Sequence, residues 1–152
     1  MYLASDGEID TAPIIRQAQR DGKEVFVPVL DTSGHKRMCF QRLLPGQQLQ
    51  HNCYAINEPA WDPEQQMPAA DLDMILLPLV GFDAHGGRLG MGGGYYDRAL
   101  AELQAEAAAP LLIGLAHACQ QVDRLQLQPW DVPLDAVITD EGRFVVRPDL
   151  PG

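Results

Sequence analysis

Residues 88–98, RLGMGGGYYDR, combine residue types that could carry out chemistry at close spacing. Four of the five residues from Gly90 to Gly94 are glycines, and two tyrosines, an aspartate and an arginine follow them. Glycine loses more conformational freedom on folding than any other residue, so such a run is unfavourable unless bare backbone is useful. Successive N–H groups that lead into a helix bind anions, and no Cβ keeps a phosphate away. The pattern favours an oxyanion-binding loop over a structural glycine turn.

Neither of the two common phosphate-binding motifs matches this loop. A P-loop requires a lysine after its last glycine, and no lysine follows here. The dinucleotide motif G-x-G-x-x-G fails because Tyr95 stands where its third glycine would be. Positive charge near the loop comes from Arg88 and Arg98, which flank it in the sequence. The residues therefore predict an oxyanion-binding loop of an uncommon type.

Asp97 is the candidate metal ligand, because it falls in the first turn of the helix predicted after the loop. A carboxylate beside a phosphate is repulsive unless a cation lies between them, and proteins often hold Mg²⁺ with one or two carboxylates plus phosphate oxygens. A carboxylate at this position also complements the helix dipole without any metal, so the residues leave both roles open. Asp131, within QPWDVPLD, could offer a second carboxylate, although spacing alone does not establish it. His117 is predicted to pack or to face solvent.

The composition predicts one domain over residues 1–152 and argues against two classes of partner. The chain is 46% hydrophobic, enough for a core. Its net charge of −10 argues against nucleic acid, which needs a basic surface, but not against a small anionic ligand. It shows neither a long apolar run nor a signal-peptide pattern, which argues against a membrane partner. The three cysteines are odd in number and do not have the spacing of metal ligands, so we expect them to be reduced in a cytoplasmic protein. We also expect a monomer.

Strand and helix patterns alternate along the chain, which is typical of an α/β domain with a mainly parallel sheet. MYLA is predicted as a short strand, and residues 44–70 as a long irregular excursion. Helices are predicted over DTAPIIRQAQRDG, capped by Asp10 or Thr11, and over YYDRALAELQAEAAA. The other predicted strands are EVFVPVL, MCFQRL, DMILLPLV, LLIGLAH, LDAVIT and RFVV. The glycine loop then lies between a strand ending near Val80 and a helix beginning near Tyr95, where α/β sheets commonly bind ligands.

The stretch LDMILLPLVGFDAHGGRLGMGGGYYDRAL closely resembles the signature of the 5-formyltetrahydrofolate cyclo-ligase family. YLASDGEIDTAPII, GKEVFVPVL, INEP and WDVPLDAVITDEG agree with the family in the same order. The resemblance implies a three-layer α/β/α sandwich, like ribose-5-phosphate isomerase and the CoA transferases. It also implies a ligase of one-carbon metabolism that uses Mg²⁺ and ATP to convert 5-formyltetrahydrofolate into 5,10-methenyltetrahydrofolate, giving ADP and phosphate.

The resemblance assigns expected roles to residues of this sequence. Arg88 and Tyr95 are expected to be catalytic. Leu3, Glu8, Tyr95 and Tyr96 are expected to bind the folate, and Asp97 and Asp131 to bind Mg²⁺. The expected ATP-binding loop consists of Arg88, Leu89, Gly90, Met91, Gly92, Gly93, Gly94, Tyr95 and Tyr96.

Two departures from the family pattern leave an alternative open. Family members begin with a basic helical segment that supplies lysine and arginine to the nucleotide, and this sequence lacks it. Gly93 also stands where some members carry a lysine. We therefore expect an N-terminally shortened enzyme, and the alternative is a folate- or nucleotide-binding module without turnover. The pair Asp97 and Asp131 favours the enzyme, because a pure folate binder needs no metal carboxylates. A sugar-phosphate isomerase would rest on fold analogy alone.

Overall fold

The computed structural model describes residues 1–31, 33, 37–101, 103 and 109–146. In chain order, the helices and strands of this part are α1 (Ala12–Arg20), β1 (Phe26–Leu30), β2 (Met38–Arg42), β3 (Leu49–His51), β4 (Asn57–Pro59), β5 (Gln66–Met67), β6 (Met74–Pro78), β7 (Gly81–Phe82), β8 (Arg88–Leu89), α2 (Tyr95–Leu100), β9 (Leu111–Ala116), β10 (Ala136–Thr139) and β11 (Gly142–Val145). No helix among the described residues is both long and apolar enough to cross a membrane.

A four-stranded sheet in the order β11-β10-β9-β6 forms the centre of the fold. Strands β6, β9 and β10 are parallel, and β11 pairs with β10 antiparallel. Strands of a parallel sheet are covered on both faces, which explains why β6 and β9 read as continuous apolar runs. Ile75 and Leu77 of β6 are each only 1% exposed. The predicted α/β fold class, with a parallel sheet, is confirmed.

A second sheet, in the order β1-β2-β5, is antiparallel throughout. The strands predicted at EVFVPVL and MCFQRL are therefore present, but they pair with each other and not with the parallel sheet. Phe26 and Phe40 from this sheet share one apolar core with Ile75, Leu77 and Phe82. The two sheets thus pack around a common core.

The prediction of an irregular excursion over residues 44–70 is wrong for part of that range. Strands β3 and β4 form an antiparallel hairpin, and β5 lies at the edge of the second sheet. The hairpin tip is organised by Asn52, whose side-chain oxygen accepts hydrogen bonds from the backbone N–H groups of Tyr54 at 2.9 Å and Ile56 at 3.1 Å. All three residues of β3 are exposed. They therefore lack the apolar alternation that marks a half-buried strand.

Helix α1 matches its prediction closely, whereas the strand predicted at MYLA is not formed. The Asp10 carboxylate accepts a hydrogen bond from the Ala12 N–H at 2.9 Å, while the Thr11 hydroxyl donates to the Tyr2 carbonyl. MYLA lies outside both sheets, and Tyr2 is nevertheless buried. Helix α2 begins as predicted, and much of the alanine-rich stretch after Leu100 lies outside the described residues.

Candidate active site

The glycine loop follows a small hairpin and does not directly follow the parallel strand β6. Strands β7 and β8 intervene, and the Val80 N–H donates to the Leu89 carbonyl at 2.8 Å. The loop nevertheless lies, as predicted, between this parallel strand and the helix that begins at Tyr95. Gly92 and Gly94 have φ angles of +86° and +64°, which favour glycine. A Cβ added at Gly90 or Gly92 would meet no atom within 4 Å, so the backbone there is open to a ligand.

Asp83 organises the segment that leads into the loop. Its buried carboxylate accepts hydrogen bonds from the N–H groups of His85 and Gly87, both at 2.9 Å, and of Leu125 at 2.8 Å. Burial raises its pKa, but these three donors outweigh burial and lower the pKa below the ordinary value for aspartate. Asp83 therefore links the turn that precedes Arg88 to the segment near Leu125. Sequence reasoning missed it, although its place before two glycines in FDAHGG is a turn signal.

We expect Gly86→Ala to destabilise the protein by about 2 to 4 kcal/mol, because two constraints act at this position. Gly86 has a φ of +84°, and an added Cβ would lie 2.7 Å from the Leu134 carbonyl oxygen. Gly46→Ala is the matched control, since its φ is +71° but nothing lies within 4 Å of the added Cβ. The control should lose only about 1 kcal/mol. Urea unfolding measures both, and equal losses would contradict the close approach.

Arg88 and Asp97 form an ion pair beside the loop, between Arg88 Nη2 and Asp97 Oδ1. The Arg88 side chain is only 7% exposed, whereas that of Asp97 is 32% exposed. Arg88 Nε is buried and has no hydrogen-bond partner among the described residues. A buried donor without a partner is unfavourable, and an oxyanion is the natural acceptor for a guanidinium. The pair thus combines a guanidinium whose Nε lacks an acceptor among the described residues with a carboxylate that solvent can reach.

The two tyrosines that begin α2 have different surroundings. The Tyr95 hydroxyl lies 2.9 Å from that of Tyr54, and the hydrogen bond to Tyr54 is the main cause that raises its pKa. Arg98 lies 5.1 Å from the centre of the Tyr95 ring and donates to the Gly93 carbonyl at 2.9 Å. Tyr54 is a neighbour of the site that sequence reasoning missed, because it lies in the excursion predicted to be irregular.

Tyr96 lies within electrostatic range of several groups of the site. Burial raises the pKa of Tyr96 far above its ordinary value, the charge of Glu8 raises it further, and Arg88 lowers it. Its phenol therefore stays protonated at neutral pH and can donate a hydrogen bond. Tyr96 thus lies within electrostatic range of Glu8, although the two residues are far apart in the sequence.

Glu8 closes a tight turn, Ser5–Glu8, in which the Glu8 N–H donates to the Ser5 carbonyl at 3.0 Å. Asp6 and Gly7 have φ angles of +44° and +80°, the pattern of a type I′ turn, for which Asp-Gly is a favoured sequence. The Glu8 carboxylate accepts a hydrogen bond from the Ser5 N–H at 2.9 Å. Burial raises the pKa of Glu8 even though this bond lowers it. Leu3 packs against the apolar cluster of α1 and β1.

Asp131 is held by hydrogen bonds within a local turn, and it forms no ion pair among the described residues. Its Oδ2 accepts from the Gln128 N–H at 2.7 Å, and its own N–H donates to the Gln128 carbonyl at 3.0 Å. No hydrogen bond or ion pair joins it to Asp97. Its role therefore stays a prediction, whereas Arg88 and Asp97 are in direct contact.

A family model for the 5-formyltetrahydrofolate cyclo-ligase family matches residues 1–140. The chain belongs to this family. The match confirms the family that the sequence resembles, and the predicted class of enzyme.

Several cyclo-ligases are similar to this chain. The 5-formyltetrahydrofolate cyclo-ligase of Escherichia coli K12 is 43% identical over 139 residues, which cover 91% of this chain and 75% of the relative. The 5-formyltetrahydrofolate cyclo-ligase of Haemophilus influenzae is 41% identical over 134 residues, which cover 88% of this chain and 71% of the relative. The solved structure of Aquifex aeolicus 5,10-methenyltetrahydrofolate synthetase has a TM-score of 0.76 and 30% identity, and the match covers 99% of this chain and 72% of that one. The solved structure of the Mycoplasma pneumoniae 5,10-methenyltetrahydrofolate synthetase has a TM-score of 0.62 and 27% identity. That match covers 93% of this chain and 71% of the other.

Asp97 and Asp131 can each be tested for a carboxylate oxygen that is available to a metal ion. The described residues contain no group of three histidine, cysteine or acidic side chains able to hold a metal. Asp97 Oδ2 and Asp131 Oδ1, however, make no hydrogen bond among these residues. Mg²⁺ takes one or two carboxylates plus phosphate oxygens and water, so each of these free oxygens has the chemistry of a Mg²⁺ ligand.

Proposed function

We propose that the chain cyclises 5-formyltetrahydrofolate to 5,10-methenyltetrahydrofolate with ATP and Mg²⁺, and that it releases ADP and phosphate. The observation that carries this proposal is the buried Arg88, paired with Asp97 and with Nε lacking an acceptor among the described residues, directly before an open glycine backbone. This arrangement suits a polyphosphate beside a metal ion. The substrate and the product are supported by the relatives, which include a 5-formyltetrahydrofolate cyclo-ligase and a 5,10-methenyltetrahydrofolate synthetase.

In this proposal the loop binds the phosphates of ATP. The backbone from Gly90 to Gly94 offers N–H groups, and the space beside Gly90 and Gly92 is unobstructed. Arg88 Nε is the donor that a phosphate oxygen would satisfy. Asp97 and Asp131 would hold Mg²⁺, which neutralises charge that develops on the transferred phosphoryl group. Arg88 would neutralise the same charge from the protein side.

The folate would lie against Glu8 and the two tyrosines. A carboxylate is an acceptor for the N–H donors on the edge of a pterin. Tyr96, whose phenol stays protonated, would supply a hydrogen-bond donor close to Glu8. The Tyr95 ring contacts the ring of Tyr54, which lies between β3 and β4. It would pack on a flat ring of the substrate. Leu3 would add an apolar contact.

The proposed reaction has two steps in which this chain mainly positions the reactants. The formyl oxygen on N5 attacks the γ-phosphorus of ATP, so a new O–P bond forms and ADP leaves. N10 then attacks the activated formyl carbon and loses its proton, and the C–O bond breaks as phosphate leaves. The five-membered ring is then closed. Arg88 and the loop N–H groups stabilise the charge in the first step.

The alternative is a folate- or nucleotide-binding module without turnover, and Gly93 is the observation that keeps it open. A Cβ added at Gly93 would lie 2.9 Å from the Tyr95 ring, so a lysine there would require Tyr95 to move. The site in this chain therefore has one cation fewer than it would with lysine at this position.

Stoichiometry separates the two candidates. Purified chain is mixed with ATP and Mg²⁺, with and without 5-formyltetrahydrofolate, and ADP and phosphate are measured. The enzyme should release one ADP and one phosphate for each folate converted, and almost none without folate. Folate binding without any folate-dependent release of ADP would favour the binding module.

A further inference from the structure

His117 lies at the carboxyl edge of the parallel sheet, beside the turn that carries Glu8. It directly follows β9, and Asp140 directly follows β10. The register pairs Ala116 with Thr139, so the next residue of each strand emerges at the same edge. His117 Nδ1 lies 3.8 Å from Asp140 Oδ2, and His117 Nε2 lies 3.3 Å from the Gly7 carbonyl oxygen.

The contact with His117 is the hydrogen bond that ties the Ser5–Glu8 turn to the sheet. The other hydrogen bonds of these four residues, within the described part of the chain, are internal to the turn. Asp-Gly favours the conformation of the turn itself, but the hydrogen bonds within the turn do not fix where it lies relative to the sheet. The contact with His117 provides that link.

Other hydrogen bonds hold the His117 segment in place. The His117 N–H donates to the Gln120 side chain at 2.7 Å, and the Gln120 amide donates to the Leu79 carbonyl, also at 2.7 Å. Asp140 accepts from the Ala118 N–H at 2.8 Å, the main cause that lowers the pKa of this carboxyl. Both ring nitrogens of His117 face oxygen acceptors. Asp140 faces the ring from the end of β10, and Asp6 and Glu8 are the charged residues of the turn.

We propose that His117 is a positioning residue: through the Gly7 carbonyl it fixes the Ser5–Glu8 turn, and thereby aims the Glu8 carboxylate at the substrate. This inference rests on the proposed function, because it assumes that Glu8 binds the folate. The sequence predicts that His117 packs or faces solvent, and its side chain is 43% exposed; the proposal adds a positioning role. Glu8 is thereby held in place from two sides, by Ser5 within the turn and by the sheet edge.

A double-mutant cycle on folate binding tests the proposal. The dissociation constant for 5-formyltetrahydrofolate is measured for wild type, His117→Ala, Glu8→Gln and the double variant. His117→Ala should weaken binding about three- to fivefold, the effect of one modest hydrogen bond. In the Glu8→Gln background the same change should have less than about a 1.5-fold effect, because its target is gone. His51→Ala, an exposed histidine on β3, is the control and should bind like wild type.

The outcomes separate this proposal from the proposed function. If Glu8→Gln binds as tightly as wild type, or if wild type does not bind folate, the proposed role of Glu8 fails. If Glu8→Gln weakens binding but His117→Ala does not, or if His117→Ala has the same effect in both backgrounds, only the positioning role fails. Hydrogen exchange of the Glu8 amide, in protein without ligand, is the second measurement. His117→Ala should speed it several-fold, and an unchanged rate would overturn the positioning role.

Discussion

Asp97→Asn should lower kcat/KM for the cyclisation about 10²- to 10³-fold and should raise the Mg²⁺ concentration needed for half-maximal rate. Asparagine keeps the size of the side chain and can still accept a hydrogen bond from Arg88. It lacks the charge, however, that would hold Mg²⁺ beside the phosphates. The measurement is the initial rate at several Mg²⁺ concentrations, with saturating ATP and with folate varied from below to above its KM.

The same substitution should also affect stability, because Arg88 is almost fully buried and would lose its counter-ion. We expect a loss of about 1 to 3 kcal/mol in the free energy of unfolding. Asp123→Asn is the control, since Asp123 is exposed, and it should leave rate and stability unchanged. An Asp97→Asn protein with wild-type turnover and wild-type dependence on Mg²⁺ would remove Asp97 from the metal site.

Glu8→Gln should weaken binding of 5-formyltetrahydrofolate about tenfold to a hundredfold while making the protein more stable at neutral pH. The loss of affinity is that expected when hydrogen bonds to a charged group are replaced by neutral ones. Stability should rise because burial raises the pKa of Glu8, so keeping the carboxylate ionised in the fold is unfavourable. Glutamine can still accept the Ser5 N–H. The gain should be below about 1 kcal/mol, because Glu8 is only partly buried and solvent screens its charge.

The gain in stability of Glu8→Gln over wild type should depend on pH. A carboxyl whose pKa is raised by folding favours the folded state at low pH, and this advantage is lost as pH rises through the folded-state pKa. The stability difference between Glu8→Gln and wild type should therefore be largest at pH 7 and should vanish below about pH 4. Urea unfolding at both pH values measures it. Glu64→Gln, at an exposed carboxylate, is the control, and an equal gain in that variant would contradict the role of burial.

Local patterns predicted the elements that hold the core of the fold. The apolar runs of β6 and β9 predicted buried strands, and the turn signal at Gly22, with its φ of +72°, predicted the end of α1. The β3–β4 hairpin was missed because its residues are exposed and polar, and its tip depends on Asn52. Whether the first two strands would join the parallel sheet was not encoded locally, because strand pairing depends on contacts between distant residues.

The candidate site divides in the same way between local and long-range information. The glycine loop and Asp97 are adjacent in sequence, so their chemistry could be read directly. The ion pair with Arg88 and the burial of its guanidinium could not, because they depend on the β7–β8 hairpin. The proximity of Glu8 to Tyr96, and of Gly7 to His117, arises only when the first residues of the chain lie at the sheet edge. Asp131 remains a prediction that the described contacts do not test.

The most direct test of the central claim is turnover of this chain with 5-formyltetrahydrofolate and Mg²⁺, with and without ATP. The ultraviolet absorbance of the methenyl product is followed over time. A steady rise that requires ATP, Mg²⁺ and protein together is the predicted result. No rise above the protein-free reaction, from folded protein that binds both ATP and folate, would contradict the proposed enzyme and leave a binding module.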